Sequence, residues 1–184
     1  MSEGQAHYFD TFPAWLRTLG DDAERLASLL EEEGLSEAAR EAVAGGLNYL
    51  FKSLDLIPDG IDDIGFLDDA FVLRVAADLA GREDPGTVDS EKLEGLGELA
   101  GECDTVREFL GDDYERLESY VRGLRRVAAR GRSVQDILAD KEVRAELLSD
   151  IRGFAKSYQP PAFSREEKTL IKLRAFFENK LPAK

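Results

Sequence analysis

Six aspartates lie within fifteen residues of this sequence, and they are its most chemically suggestive feature. They are Asp55, Asp59, Asp62, Asp63, Asp68 and Asp69. Hard cations such as Mg²⁺ and Ca²⁺ bind several carboxylate oxygens at about 2.0–2.6 Å, so a divalent-metal site is one hypothesis. The other hypothesis is structural, because carboxylates at turns and helix N-termini accept free backbone N–H groups without any metal. We expect the structural role to dominate and keep the metal site as the alternative.

The spacing of these acids differs from that of a calcium-binding EF-hand loop. Ile57 stands two positions after Asp55, where an EF-hand has another oxygen ligand, and no glutamate occupies the twelfth position of such a loop. A metal-dependent hydrolase acting on a phosphorylated or lipid-like substrate would therefore depend on the acidic residues alone.

Other common catalytic chemistries would each rest on a single residue. His7 is the only histidine and Cys103 is the only cysteine, so neither a structural zinc site nor a Ser–His triad is expected. We predict that Cys103 is a small core residue. With one cysteine no intramolecular disulfide forms, which favours a reducing compartment. The sequence favours a protein that is not an enzyme.

A basic run in the second half of the chain is the other candidate site. It contains Arg122, Arg125, Arg126, Arg130 and Arg132. Arginines of this kind contact phosphate, anionic lipid or an acidic protein surface. Alternatively, they complement the C-terminal end of a helix and pair with acids elsewhere in the chain. Acids are abundant here, so we favour internal pairing and retain partner binding as the functional hypothesis.

The residues around the aspartates predict a bend between two helices. Pro58 disfavours the helical conformation for the residue before it, and the following Asp-Gly pair, which ends at Gly60, is a strong turn signal. Gly65 provides a second bend. Asp68 and Asp69 then fall at or near the N-terminus of the next helix, where carboxylates suit the helix dipole. The segment therefore predicts a helix, a rigid turn and a second helix.

Start and stop signals divide the rest of the chain into helices. Gly20 is expected to end the first helix, and Ser36 and Ser133 are expected to cap helices that follow them. Thr105 and Ser164 each precede a glutamate by three residues, which predicts two further helix starts of the capping-box type. No segment alternates apolar and polar residues long enough to predict a strand. The prediction is an all-α fold, a compact multi-helix bundle with an Asp-rich rigid turn between two central helices.

The acidic turn resembles the hallmark of the bacterial YkvA-type family, whose shared domain has no known function. The run Asp55-Leu56-Ile57-Pro58-Asp59 and the run Leu67-Asp68-Asp69 follow the family pattern, with Ile61 and Gly65 between them. The resemblance extends over about residues 36–81. It implies a compact helical domain that is sometimes associated with membrane proteins.

Two departures from that pattern lie within the turn. Lys52-Ser53-Leu54 stands where the family has Ser-Pro-Ile, which removes a helix-terminating proline. Asp62-Asp63 stands where the family has Pro-Val, which makes this turn more acidic. The resemblance brings no established catalytic residues, so none is assigned.

Charge is unevenly distributed along the 184 residues, whose formal net charge is −14. Residues 1–104 contain 25 acidic and 7 basic side chains, whereas residues 105–184 contain 13 and 17. We predict an acidic helical domain over 1–104, containing the YkvA-like core, and a C-terminal helical extension over 105–184 that packs on it. The acidity argues against nucleic acid as a partner.

The sequence points to a cytoplasmic protein. Its first residues lack the basic and apolar regions of a signal peptide, and the longest uncharged run, residues 42–51, is half the length of a membrane-spanning helix. The expected function is a non-enzymatic interaction or scaffold module that binds another protein, with no cofactor. The alternatives are a Mg²⁺- or Ca²⁺-binding protein or hydrolase, and a peripheral protein on an anionic membrane surface.

Overall fold

The structure is a computed structural model that describes residues 3–184, and it is almost entirely helical. The helices are α1 (Glu3–Leu29), α2 (Glu37–Tyr49), α3 (Leu67–Arg82), α4 (Ser90–Leu110), α5 (Tyr114–Gly123), α6 (Val134–Ala139), α7 (Lys141–Ser157) and α8 (Glu167–Lys180). Short 3₁₀ turns lie at Gly111–Asp113 and Leu124–Arg126. The strands β1 (Ala128–Ala129) and β2 (Arg132–Ser133) form one small antiparallel hairpin. The predicted all-α bundle is confirmed.

Helix α3 is the central element of the bundle. Its residues 67–77 are all buried, including the charged side chains of Asp68, Asp69 and Arg74. It packs against α1, α2, α4 and α5. The ring of Phe71 on α3 stacks on Phe177 of α8 at 5.1 Å between centroids and meets Phe12 of α1 at 5.2 Å. The first and last helices therefore share one core with α3.

Gly20 does not end a helix, so the predicted break there is wrong. It lies inside the continuous helix α1, at a point where α7 crosses closely. A Cβ atom at Gly20 would come within 3.0 Å of the Cα atom of Ala155. The glycine therefore permits a close approach between α1 and α7. The sequence analysis interpreted it as a residue that ends a helix, but its role is in helix packing.

Both predicted capping boxes are also wrong. Thr105 lies within α4, which continues to Leu110 and stops at Gly111, where φ is +56°. The hydroxyl of Ser164 bonds to the side chain of Glu166, one residue before α8, and caps no backbone N–H. Thr105 therefore starts no helix, and α8 begins at Glu167 without a side-chain cap.

The other two predicted caps are confirmed. Ser36 accepts a hydrogen bond from the N–H of Ala39 at the start of α2. Ser133 accepts one from the N–H of Asp136 at the start of α6. Of the helices described, none combines the length and apolarity that a bilayer-spanning segment needs.

The segment between α2 and α3 forms the predicted rigid turn. The N–H of Gly65 donates to the carbonyl of Ile61 at 2.8 Å, and Phe66 takes a left-handed conformation with φ of +68°. A Cβ atom at Gly65 would lie 2.4 Å from the carbonyl oxygen of Asp59, so only glycine fits there. A hydrogen bond within its own backbone therefore closes the turn.

Candidate functional site

Asp68 joins the acidic turn to the two central helices. It is fully buried, and its Oδ2 accepts hydrogen bonds from the hydroxyl of Tyr49 at 2.5 Å and from the N–H of Ile57 at 3.1 Å. The same hydroxyl oxygen accepts the N–H of Leu56 at 2.8 Å. This chain of bonds links the end of α2, the middle of the turn and the first residues of α3. Charge-assisted bonds of this type are among the stronger ones in proteins.

Sequence reasoning missed Tyr49. A tyrosine on the apolar face of a helix is normally read as core, and nothing local indicates that its hydroxyl will meet an acid 19 positions later. Helix α3 itself begins after Phe66, which makes no side-chain cap. Asp68 and Asp69 occupy the first turn of α3, as predicted, but the bonds of Asp68 go to the preceding turn.

Three carboxylate oxygens in this region have no hydrogen-bond partner among residues 3–184. They are Oδ1 of Asp55, Oδ1 of Asp68 and Oδ2 of Asp69. Asp69 is only 2% exposed, and Asp55 is half-buried. Within the same described range, none of these three side chains forms a salt bridge, whereas Asp63 on the outside of the turn does. A buried, unpaired carboxylate is costly, because it loses hydration without receiving a partner.

Burial and mutual repulsion raise the pKa of each of these acids. Burial, with repulsion from Asp68 and Asp59, raises the pKa of Asp55 to about 7. Burial raises the pKa of Asp68 to about 6, even though the bond from Tyr49 lowers it. Burial, followed by repulsion from Asp68, Asp59 and Asp55, raises the pKa of Asp69 well above its usual range. These three acids therefore influence one another's ionisation, and Asp59 repels the charged form of all three.

The six aspartates divide into an inner and an outer set. Asp55, Asp68 and Asp69 form the inner set described above. In the outer set, Asp59 and Asp62 are exposed, and Asp63 pairs with Lys172 of α8 at 2.6 Å. No three acidic, histidine or cysteine side chains in the described part of the chain are placed to hold a metal ion by themselves. Metal binding by these residues stays a prediction.

Residues from the second half of the chain enclose the acidic turn. The ring of Tyr120 on α5 lies 6.1 Å from that of Tyr49, and the ring of Tyr158 lies 5.1 Å from that of Phe66. The Tyr158 hydroxyl also donates to the carbonyl of Leu16 on α1 at 2.8 Å. These contacts join residues far apart in sequence, so periodicity and spacing could not predict them.

Part of the basic run is internally paired. Arg130 and Arg132 both reach Asp150, at 3.2 and 2.7 Å, and both guanidinium groups lie over the ring of Phe51. Arg132 is almost fully buried. These two arginines join the hairpin to the middle of α7 and to Phe51, which follows the end of α2.

The other arginines of the run are exposed, as Arg130 is. Arg122 pairs with Glu118 at 2.9 Å, and Arg125 is 3.8 Å from Glu41, which is long for an ion pair. Arg126 is exposed. Arg122 and Arg125 line a groove of about 150 Å³ between α2, α3 and α5.

The single histidine and single cysteine do not enter the acidic turn. His7 lies on α1, where its ring is 3.2 Å from the hydroxyl of Thr11. Cys103 is buried, as predicted, and its sulfur is 3.2 Å from the hydroxyl of Tyr114. Burial raises the pKa of the Cys103 thiol to about 11, so the reactive thiolate is scarce at neutral pH.

Comparison with known families agrees with the resemblance noted from the motif. Residues 39–74 match the family described as "Protein of unknown function (DUF1232)". The matched stretch covers most of α2, the whole acidic turn and the first half of α3. This confirms the predicted YkvA-type resemblance and adds no activity to it. No curated protein and no solved structure matches the chain.

Proposed function

We propose that this protein is a non-enzymatic helical module that docks onto an acidic segment of another protein through the groove between α2, α3 and α5. The observation that carries the proposal is the pair of arginines on the rim. The side chains of Arg122 and Arg125 are 53% and 51% exposed, and they flank an apolar floor. That floor is formed by Ala42, Leu79 and Val121.

Two arginines and two glutamates, Glu41 and Glu83, line the groove, so a carboxylate ligand would bind at the arginines and would compete with Glu41 for Arg125. A guanidinium group presents planar donors that bind a carboxylate through two parallel hydrogen bonds. Arg125 is held only loosely by Glu41, so a carboxylate from a partner can replace that contact at little cost. An apolar side chain beside the acid would cover the floor. The ligand class is therefore an acidic peptide segment with an adjacent apolar residue.

Close helix packing holds the rim in place. Gly45 on α2 lets the 3₁₀ turn at Leu124–Arg126 approach so closely that an added Cβ would lie 3.3 Å from the Cβ of Leu124. Leu124 itself is buried. Arg125 thus extends from a fixed backbone, which lowers the entropic cost of binding.

The test is affinity capture from a bacterial lysate with the full chain as bait. Arg122→Gln with Arg125→Gln removes the rim charges, and Arg165→Gln is the matched control, since Arg165 does not line the groove and pairs with Asp10 elsewhere. We expect proteins captured by the wild type and by the control to be lost with the double variant. Equal recovery with all three baits, each with unchanged circular dichroism, would rule out the groove as the docking site.

A further inference from the structure

A second groove lies between the end of α5, the turn that follows it and residues 182–184. It encloses about 310 Å³ and is lined mainly by apolar groups, among them Leu124, Val127 and Pro182. It shares no lining residue with the docking groove between α2, α3 and α5. We infer that this second groove binds a small anionic amphiphile, a molecule with a short apolar chain and a carboxylate head.

One wall of the groove is the segment that follows α8, and Arg116 of α5 holds it in place. The guanidinium of Arg116 donates to the carbonyls of Glu178 and Pro182, each at 3.0 Å. It also donates to the carbonyl of Leu181, whose side chain is buried. These bonds fix residues 181–184 against α5.

The opposite wall belongs to the helical bundle. Leu124 is buried, and Gly45 of α2 permits its close approach. The ring of Tyr120 meets that of Tyr49 edge-on at 6.1 Å between centroids. Both walls are therefore formed before a ligand arrives, as is usual for small-molecule sites, and this lowers the entropic cost of binding.

The charges at the groove select the head of the ligand. Arg116 and Lys184 line it, whereas no aspartate or glutamate among residues 3–184 does. Arg116 is already engaged by carbonyls and by Asp113, but Lys184 has only an exposed pair with Glu115 at 2.7 Å. Such pairs contribute little, so a ligand carboxylate can replace Glu115. The net charge of −14 disfavours a doubly charged phosphate head.

The size of the groove sets the size of the ligand. Its volume is at the lower end of the range of about 300–1,000 Å³ that small-molecule sites occupy. Each methylene group that leaves water for an apolar surface strengthens binding by up to about fourfold. Affinity should therefore depend mainly on chain length, with a smaller contribution from the charged head.

The experiment is an NMR titration of the full ¹⁵N-labelled chain with sodium octanoate, sodium butyrate and octan-1-ol. We expect saturable shifts of the amides of Gly123 and Leu124, with octanoate bound at least about fivefold more tightly than butyrate because of its four further methylene groups. Shifts that never saturate, or equal affinity for octanoate and butyrate, would overturn the inference.

A substitution at Gly123 tests the location of the site. Gly123 lines the groove in a helical conformation with φ of −70°, and an added Cβ would meet no heavy atom within 4 Å. Gly123→Leu should therefore fill the groove and weaken octanoate binding by at least about tenfold. Gly153→Leu is the matched control, because Gly153 is an equally open helical glycine on α7 that does not line the groove. Equal affinity in Gly123→Leu and the wild type would overturn the inference.

A substitution at Lys184 tests the charged head. Lys184→Gln should weaken octanoate binding by about two- to fivefold, as expected for an exposed ion pair, and leave octan-1-ol binding unchanged. Equal affinity of the wild type for octanoate and octan-1-ol would show that the carboxylate is not recognised, and the inference of an anionic ligand would fail.

Discussion

Helix α3 contains two buried charged sites, and they differ in whether the fold supplies an opposite charge. Arg74 is 1% exposed, and its guanidinium donates to Asp22 at 3.1 Å and to Glu102 at 2.7 Å. It also donates to the carbonyl of Ala70 and lies 4.1 Å over the ring of Trp15. Five residues earlier on the same helix, Asp69 is equally buried but has no cation beside it within the described range.

The contrast shows where the chain provides its own counter-charge. At Arg74 two acids come from α1 and α4, so the buried cation is satisfied by the fold alone. At the acidic turn, none of Asp55, Asp68 and Asp69 forms a salt bridge among the described residues, although the charge of Lys52 partly offsets the rise in the pKa of Asp55. We therefore attribute a structural role to Arg74, whereas the inner acidic set has no ion-pair partner among the described residues.

Removal of Arg74 should produce the largest loss of stability. Arg74→Met retains apolar bulk but leaves Asp22 buried without its cation. We expect the free energy of unfolding to fall by about 3–5 kcal/mol, the cost of breaking a buried ion pair from one side. Urea denaturation measures it. Adding Asp22→Asn should recover part of the loss, and a loss below about 1 kcal/mol for the single variant would contradict the structural role.

Arg74 also illustrates what the sequence could and could not predict. An arginine in the apolar run of α3 was a visible signal, but its acidic partners lie 52 and 28 residues away and cannot be identified by periodicity. By contrast, the turn was predictable because Pro58 and Gly65 act through local backbone geometry.

The same distinction explains the helix boundaries. Ser36 and Ser133 cap helices as predicted because a cap involves residues three positions apart. The role of Gly20 was predicted wrongly, because the contact that requires a glycine there is with Ala155 on α7, which is distant in sequence. For the candidate site, the segment was found from its composition, but the division into inner and outer acids depends on tertiary packing.

Tyr49→Phe should cause the next largest loss of stability. It tests the acidic turn, whereas Arg74→Met tests the buried arginine. It removes the hydroxyl that donates to Asp68 and accepts the N–H of Leu56, while the ring is retained. We expect the free energy of unfolding to fall by about 1–3 kcal/mol, because buried groups are left unpaired. Chemical denaturation measures it, and an unchanged midpoint would show that the Tyr49–Asp68 bond does not hold the turn.

The inner acids should also make the metal-free protein less stable as pH rises. The pKa of Asp55 is about 7 and that of Asp68 about 6 in the folded state, both above the usual 3.8. The folded state therefore binds more protons, and this stabilisation, complete below about pH 4, is lost as pH rises to about 7. Urea midpoints in chelator at about pH 5 and pH 8 measure the effect. A higher midpoint at pH 8 would contradict it.

The smallest effect is expected at the outer acids. Lys172→Ala removes the half-exposed pair with Asp63 on the outside of the same turn. Such pairs contribute little, so the free energy of unfolding should change by less than about 1 kcal/mol. A larger loss, measured by the same denaturation, would mean that the inner and outer sets are not energetically distinct.

The most direct test of the contrast within α3 is NMR titration of the side-chain carboxyl groups of the full chain. The account predicts a pKa of about 7 for Asp55 and of about 6 for Asp68. A pKa at or below the usual 3.8 for both acids would contradict it.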